Sequence, residues 1–239
     1  MDNFWDKILP ADYYDDIYNS GLSKNRGIQS NWHNITFLKI KSMMTLKGKH
    51  LDFACGPGTF IGNYLSLDSI GVDISVKQIN FAVNKYSSKG NFYKLDDFQF
   101  NQFQDHFDVI TVIGLLEYLD EDEFNSLIEK LYSITNEQGK ILFTTPNYKS
   151  LMFVLEKVAN MVSDVNYAAT HKTRYNHNLL NKRFASLPFG EFKIIKFLNL
   201  GVLFSVFSLR LGKAANTLIE KIFQNKIGYL FLIELKKSN

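Results

Sequence analysis

Residues 51–60, which read LDFACGPGTF, constrain the fold more than any other stretch of the 239-residue chain. An apolar run carries an acid, Asp52, and passes directly into a turn that contains Gly56 and Gly58. Glycine permits positive φ and lets a ligand approach the backbone closely, and a helix that begins after such a turn presents unpaired N–H groups. The pattern therefore predicts a strand, a ligand-binding loop and a helix in direct succession.

The charge near this loop indicates which kind of ligand it binds. A loop of this type can hold either phosphates or the carboxylate and ribose of an amino-acid nucleotide. A carboxylate such as Asp52 repels a pyrophosphate and attracts an ammonium group, so the second ligand is favoured. Asp73 ends the next apolar run, SIGVD, where an acid can accept hydrogen bonds from both hydroxyls of a bound ribose. A dinucleotide-binding fold would place an acid similarly, so Asp73 alone does not separate the two ligands.

The loop and three later segments together resemble the motifs of class I S-adenosylmethionine (SAM) methyltransferases. The glycines follow GxGxxxG spacing, through Gly62, and the Asp52-x-Ala-x-Gly-x-Gly run is similar to the first motif of that family. Residues 92–98 resemble its third strand, residues 107–119 its fourth strand and following loop, and residues 139–147 its fifth strand. The resemblance covers roughly residues 30–150. It implies SAM as the cofactor and a reaction that requires no metal.

The resemblance assigns cofactor contacts to residues at the ends of the predicted strands. Asp52 would orient the loop and the methionine ammonium, Asp73 would bind the ribose hydroxyls, and Ile74 would pack on the adenine. An acid after the third strand would accept a hydrogen bond from the adenine amino group, and both Asp96 and Asp97 stand there. The remaining members of the predicted set are Ala54, Gly56, Gly58, Phe98, Ile113 and Tyr14.

Two positions differ from the family pattern. Ala54 stands where the loop usually has its first glycine, and a methyl group is the smallest addition, so cofactor binding is expected to be kept. Tyr118 stands where many small-molecule relatives have histidine, which removes one candidate base. His171, in the polar segment HKTRYNH, is an alternative proton acceptor because imidazole titrates near neutral pH. We therefore take His171 and Tyr118 as the candidate catalytic residues.

The alternation of strands and helices predicts an α/β fold with a Rossmann-like, doubly wound sheet and helical cap elements. Five strands are expected near 49–54, 70–73, 91–95, 107–113 and 140–145, with helices near 59–66, 75–87 and 122–136. Two more strands are expected at 192–197 and 228–235, which would make a seven-stranded, mostly parallel sheet. The resemblance implies that the last strand is antiparallel. Further helices are expected at 31–46 and 150–163.

The chain suits one domain because no linker rich in serine or glycine divides it. Along it we expect an N-terminal helical lid (1–47), a SAM-binding core (48–147), a substrate cap (148–190), and C-terminal strands and helices (191–239). The lid assignment rests on Tyr13 and Tyr14, which resemble a YYD segment that folds over the cofactor in related enzymes.

Composition and charge limit the partners of the chain. Its single cysteine, Cys55, excludes an intramolecular disulfide and a cysteine metal cluster, and the acidic N-terminal segment does not resemble a targeting peptide, so a cytoplasmic location is expected. No run of eighteen apolar residues is present to span a membrane. Residues 171–239 carry 12 Lys/Arg and 3 Asp/Glu, a balance of +9. That basic surface is either simply solvated or attracts an anionic acceptor or a membrane surface.

The leading hypothesis is a SAM-dependent methyltransferase that acts on a small-molecule, sugar-linked or lipid-linked acceptor, at oxygen rather than nitrogen. A nucleic-acid base is disfavoured as the acceptor. DNA enzymes that methylate amino groups carry an Asn/Asp-Pro-Pro-aromatic run after the fourth strand, where this chain reads IGLLEY. Two alternatives stay open, namely a nicotinamide-dependent oxidoreductase with a degenerate fingerprint and a non-catalytic SAM-binding protein.

Overall fold

The computed structural model describes residues 10–44, 48–65, 68–150 and 171–237. The strands of this part are β1 (Lys49–Phe53), β2 (Asp68–Asp73), β3 (Asn91–Lys94), β4 (Phe107–Ile113), β5 (Thr135–Pro146), β6 (Glu191–Phe197) and β7 (Leu230–Lys236). They form a seven-stranded sheet in the order β3-β2-β1-β4-β5-β7-β6. β2 pairs in parallel with β1 and β3, and β4 pairs in parallel with β5. β7 is antiparallel to both β5 and β6, so the predicted sheet is confirmed.

The α-helices of the described residues are α1 (Tyr13–Lys24), α2 (Ile28–Met43), α3 (Thr59–Tyr64), α4 (Val76–Tyr86), α5 (Glu121–Ile134), α6 (His177–Ala185) and α7 (Leu209–Ile222). Four short 3₁₀ turns accompany them at Leu95–Asp97, Phe100–Phe103, Leu116–Tyr118 and Leu200–Val206. Within the described ranges, no helix combines the length and apolar character that a bilayer crossing requires. The helix expected at 150–163 lies outside the described residues, apart from Ser150.

Capping side chains set the ends of two predicted helices. α4 begins after Ser75, whose hydroxyl accepts a hydrogen bond from the Gln78 amide at 3.3 Å. α5 begins after Asp120, which forms a reciprocal capping box with Glu123. These caps explain why α4 and α5 start within one residue of the positions expected from the apolar spacing.

Two boundaries differ more from the prediction. The helix expected at 31–46 begins at Ile28 and ends at Met43. β5 begins at Thr135 rather than at residue 140, and its pairing with β4 is irregular between Phe107 and Val109. A bulge therefore absorbs residues 136–139, of which Asn136 was expected to end the preceding helix.

The chain packs as two compact units. The first comprises residues 1–99 and 198–223, and the second comprises residues 100–197 and 224–239. Leu51, Ile61 and Val72 are fully buried in the first unit. In the second unit, Ile110 and Ile233 are among the fully buried side chains.

His50 is a neutral, buried residue of β1. Its ring is fully buried, and its Nδ1 atom lies 3.0 Å from the Ser69 hydroxyl. Burial lowers the pKa of His50 to about 3, because the protonated ring would lose its hydration inside the core. The buried, neutral ring of His50 therefore has a structural role in β1.

We expect this histidine to make the protein less stable in mild acid. The unfolded chain binds a proton at His50 below about pH 6.5, whereas the folded chain does not bind it until about pH 3. The contribution of His50 to the free energy of unfolding is therefore fully present above about pH 6.5 and is lost as the pH falls. At about pH 5 the loss amounts to roughly 2 kcal/mol. Urea unfolding of wild type and His50→Gln at about pH 7.5 and 5 measures it, since the variant lacks this titration. An equal pH dependence in both proteins would contradict the prediction.

Candidate active site

The loop between β1 and α3 owes its shape to three residues with positive φ. Ala54, Gly56 and Gly58 have φ values of 62°, 55° and 73°. Two backbone hydrogen bonds close the loop, from Cys55 N to Val72 O at 3.0 Å and from Gly58 N to Cys55 O at 3.1 Å. The predicted succession of strand, tight loop and helix is present.

Gly58 is required by packing as well as by conformation. A Cβ atom at this position would lie 2.6 Å from Cε1 of Phe92 and 3.0 Å from Cβ of Ala82. Gly56 is less crowded, because a Cβ there would meet only Oε1 of the Gln78 side chain, at 2.9 Å. The loop is thus pressed against α4 and β3, and its backbone position is fixed by these neighbours.

Ala54 adopts the left-handed conformation that glycine tolerates best. An L-residue in this region costs roughly 1–2 kcal/mol. We expect Ala54→Gly to raise the free energy of unfolding by about 0.5–1 kcal/mol, because part of the relief is offset by the greater freedom of glycine in the unfolded chain. Urea denaturation measures the change. Ala214→Gly, in the exposed interior of α7, is the matched control and should be destabilising by about 1 kcal/mol. Destabilisation by both substitutions would contradict the prediction.

Asp73 joins the loop to the start of α4. One carboxylate oxygen accepts a hydrogen bond from Gly56 N at 2.8 Å, and the other accepts one from Ser75 N at 2.8 Å. A carboxylate oxygen has more than one lone pair, so these bonds leave Asp73 capacity to accept from ligand hydroxyls as well. The side chain is half-buried at the end of β2.

The charge around the loop suits a cationic ligand. Asp52 is buried at the end of β1, and residues 51–76 contain no lysine or arginine. Burial, followed by the nearby charges of Asp73 and Asp52, raises the pKa of the Cys55 thiol well above its usual range. Cys55 is therefore a neutral, buried thiol that fills space in the turn rather than a reactive thiolate.

The predicted adenine-binding residues follow β3. Asp96 and Asp97 lie in the 3₁₀ turn Leu95–Asp97 and both are exposed. Asp96 forms an ion pair with Lys94, and its carboxylate is 70% exposed. Phe98 is buried directly after the turn. Ile74, which is half-buried, follows Asp73 at the end of β2.

Tyr14 belongs to an aromatic group on α1. Its ring packs edge-on against Tyr13, with centroids 5.3 Å apart, and stacks on Tyr18 at 6.1 Å. Ordinary aromatic packing accounts for these contacts. The lid remains a prediction.

Asp15, which the sequence analysis did not single out, anchors α1. Its carboxylate is fully buried and accepts hydrogen bonds from Thr59 Oγ1 at 2.8 Å, Tyr86 OH at 2.7 Å and Asn19 Nδ2 at 2.7 Å. It also forms an ion pair with Lys85. Thr59 is the first residue of α3, so this anchor ties α1 to the helix that follows the glycine loop. Thr59, Lys85 and Tyr86 lie 44 to 71 residues away in sequence, so no local pattern could have revealed these three partners.

In the second unit, the end of β4 and the following turn form a separate group. Ile113 is half-buried at the end of the strand, and Gly114 N donates to Thr144 O at 3.2 Å. In the turn, the buried Glu117 accepts a hydrogen bond from Thr145 Oγ1 at 3.0 Å. Its backbone carbonyl accepts from Lys172 N at 2.9 Å, which fixes the segment that carries His171.

His171 and Tyr118, the two predicted catalytic residues, are in contact. Their ring centroids lie 5.0 Å apart with an edge-on geometry. His171 Nδ1 also lies 2.7 Å from the hydroxyl of Tyr148, a residue that the sequence analysis did not select. Burial, and then the charge of Arg174, lowers the pKa of His171 to about 4. We call Tyr118, Tyr148, His171 and Arg174 the acceptor cluster.

The rest of the HKTRYNH segment does not join this cluster. Tyr175 is fully buried, and its hydroxyl accepts a hydrogen bond from Arg183 Nη1 at 2.5 Å. His177 begins α6, and its ring lies 6.3 Å from that of Phe231. The side chains of this polar segment therefore divide into two groups. Those of His171 and Arg174 contact tyrosines of the acceptor cluster, whereas those of Tyr175 and His177 pack elsewhere.

Comparison with known proteins identifies the family. A family model described as a methyltransferase domain matches residues 33–189, more than half of the chain. Comparison with curated proteins gives no significant match. The chain belongs to the methyltransferase domain family.

Solved structures share the fold at low sequence identity. A SAM-dependent methyltransferase from Archaeoglobus fulgidus has a TM-score of 0.58 and 22% identity, over 92% of this chain and 99% of that one. One from Thermotoga maritima, described as a possible histamine N-methyltransferase, has a TM-score of 0.62 and 12% identity, over 95% and 98%. Phosphoethanolamine N-methyltransferase 2 of Haemonchus contortus, solved with SAM, has a TM-score of 0.62 and 13% identity, over 99% of this chain and 60% of that one.

The protein is a class I SAM-dependent methyltransferase, as the motifs predicted. This result decides against the nicotinamide-dependent oxidoreductase and the non-catalytic binding protein. The loop of the first unit fits the cofactor. Its surroundings are acidic rather than basic, as a sulfonium and an ammonium require, and Asp73 retains acceptor capacity for ribose hydroxyls.

Proposed function

We propose that the enzyme transfers the methyl group of SAM to an oxygen atom of a small-molecule, sugar-linked or lipid-linked acceptor. The observation that carries the proposal is the neutral His171 imidazole in contact with two tyrosines in the acceptor cluster. An imidazole that is neutral at physiological pH can accept a hydrogen bond from a hydroxyl group. Tyr118 and Tyr148 add aromatic surface against which an acceptor ring or chain can pack.

For the cofactor, we propose that Asp73 binds the ribose hydroxyls and that the loop through Ala54, Gly56 and Gly58 holds the methionine end. Asp52 would orient that loop and attract the ammonium group. For the adenine we propose Ile74 and Phe98 as packing surfaces, Asp96 or Asp97 as the acceptor of the amino group, and Ile113 and Tyr14 as further contacts. The acidity of the loop and the hydrogen bonds of Asp73 support these roles.

SAM supplies a methyl group on a strong leaving group, so the main tasks of the protein are to position the acceptor and exclude water. Because the pKa of His171 is about 4, this imidazole is a weak base. We therefore assign to it the orientation of the acceptor hydroxyl, with removal of its proton as the new bond to carbon forms. Arg174, whose charge adds to the effect of burial in lowering the pKa of His171, would favour an anionic acceptor.

We expect His171→Ala to lower turnover roughly 100-fold while changing SAM affinity less than twofold. Turnover is measured as label transfer from methyl-labelled SAM, and affinity by titration calorimetry. His177→Ala is the matched control from the same segment and should retain turnover. In the wild type, His171 stays neutral between about pH 5 and 8 because its pKa is about 4. We therefore expect that protonation of His171 does not lower turnover within this pH range. Equal losses of turnover and SAM affinity in His171→Ala would contradict the assigned role.

The acceptor class is tested by incubating the enzyme with deuteromethyl-SAM and separate extracts of polar metabolites, lipids and RNA. Mass spectrometry then locates the label. Label on an oxygen of a metabolite, sugar or lipid is the expected result. Label on nitrogen, or label confined to RNA, would overturn the proposal.

A further inference from the structure

Helix α7 turns its apolar side chains toward solvent. Its buried stripe consists of small or polar residues spaced four apart, namely Gly212, Asn216 and Glu220. Leu211, Leu218 and Ile222 lie on the other side of the helix and are 46%, 59% and 64% exposed. This arrangement reverses the usual pattern, in which the apolar stripe of a surface helix faces the core.

The orientation of α7 is fixed by close packing of its buried stripe. A Cβ atom on Gly212 would lie 1.9 Å from the hydroxyl of Ser205, and one on Gly201 would lie 2.3 Å from Asn216 N. The 3₁₀ turn Leu200–Val206 therefore fits tightly against this stripe. A rotation that buried the leucines instead would break these contacts.

Glu220 reinforces the same orientation. Its carboxylate is buried, accepts hydrogen bonds from Asn216 Nδ2 at 2.8 Å and from Leu198 N at 3.3 Å, and pairs with Lys39 at 2.8 Å. The only acid of α7 is thus neutralised inside the first unit. The exposed charge of the helix comes from Arg210, Lys213 and Lys221 alone.

The three cations lie beside the apolar stripe. They line an open depression together with Ala214, Thr217 and Leu218. Among the described residues, none of the three takes part in an ion pair. Phe207, one residue before the N-cap of α7, is 72% exposed, and Phe223 is exposed directly after the helix. The exposed side of α7 is therefore apolar with a wholly positive flank.

We propose that this side of α7, which we call the α7 surface, binds the surface of membranes that contain anionic lipids. An amphipathic helix with an apolar stripe, flanking phenylalanines and basic side chains has the composition of interfacial helices that lie in the headgroup region. The positive charge of the α7 surface favours a membrane over a second copy of the chain as its partner. Anionic headgroups attract Arg210, Lys213 and Lys221, whereas a second copy of the helix in a symmetric dimer would bring like charges together.

Vesicle cosedimentation tests the proposal on the full chain without SAM or acceptor, so its outcome does not depend on the proposed function. We expect binding to phosphatidylcholine vesicles that contain roughly a third phosphatidylglycerol, weaker binding at high salt, and little binding to pure phosphatidylcholine. Leu218→Gln/Ile222→Gln should weaken binding at least tenfold. Neutralising Arg210, Lys213 and Lys221 to glutamine should weaken it about fivefold per residue.

Val83→Gln, at an exposed apolar position on α4, is the control and should bind as the wild type does. SAM affinity and thermal stability should be unchanged in every variant, because the substituted side chains are exposed. No vesicle binding, equal binding to both lipid compositions, or an effect of Val83→Gln equal to that of the α7 variants would each overturn the proposal. A concentration-dependent dimer that Leu218→Gln/Ile222→Gln dissociates, seen without vesicle binding, would assign the surface to a second copy instead.

Discussion

Replacing Asp73 by alanine is expected to weaken SAM binding at least tenfold while the chain stays folded. A hydrogen bond from a hydroxyl to a carboxylate contributes about 1.5–3 kcal/mol, and in the proposed role of Asp73 the substitution removes the acceptor of the ribose hydroxyls. It also releases Gly56 N and Ser75 N, so the loop between β1 and α3 loses one of its supports. Titration calorimetry measures the affinity, and circular dichroism confirms the fold.

Asp68→Ala is the matched control for this experiment, because Asp68 is an exposed acid at the opposite end of the same strand. It should leave the affinity unchanged. Asp73→Asn keeps an acceptor oxygen, so it should lose less SAM affinity than Asp73→Ala. Unchanged affinity in Asp73→Ala would show that this carboxylate does not bind the cofactor.

Asp15→Ala is expected to lower the free energy of unfolding by about 2–4 kcal/mol, because a buried hydrogen-bonding group left without its partner costs about 1–3 kcal/mol. The substitution leaves the Thr59 and Tyr86 hydroxyls without their acceptor and Lys85 without its counter-ion. Urea denaturation measures the loss. Because Thr59 begins α3, we also expect SAM affinity to fall.

The neighbouring acid provides the control. Asp16 is exposed on the same helix, so Asp16→Ala should change stability by less than about 0.5 kcal/mol. Asp15→Asn retains one acceptor oxygen, so its loss of stability should lie between the losses of Asp15→Ala and Asp16→Ala. Equal stabilities of the Asp15 and Asp16 alanine variants would mean that the anchor makes no net contribution.

The sequence predicted the sheet and the cofactor loop because both depend on local signals. Each predicted strand is a short apolar run, and glycine occupies two of the three positions with positive φ in the loop between β1 and α3. Asp73 could be found in the same way, because an acid directly after an apolar run lies at a strand end. The family comparison then confirmed the class of enzyme.

The features that the sequence did not reveal depend on contacts between distant residues. Asp15 lies in a polar stretch that reads like a solvated helix, yet its partners Thr59 and Tyr86 bury it completely. His171 and His177 stand in one polar segment, but only His171 contacts Tyr118, because Asn176 caps α6 and directs His177 into that helix. The apolar residues of α7 have ordinary helical spacing, so their periodicity could not tell which side faces solvent.

The Asp15 anchor limits how the N-terminal part of the first unit can move. Outward movement of α1 would separate the Asp15 carboxylate from three donors on α3 and α4. These donors are the hydroxyls of Thr59 and Tyr86 and the ammonium group of Lys85. A rigid-body opening of α1 would therefore have to break these contacts first. Rotation of the Tyr14 side chain, a motion of picoseconds to nanoseconds, would leave them in place.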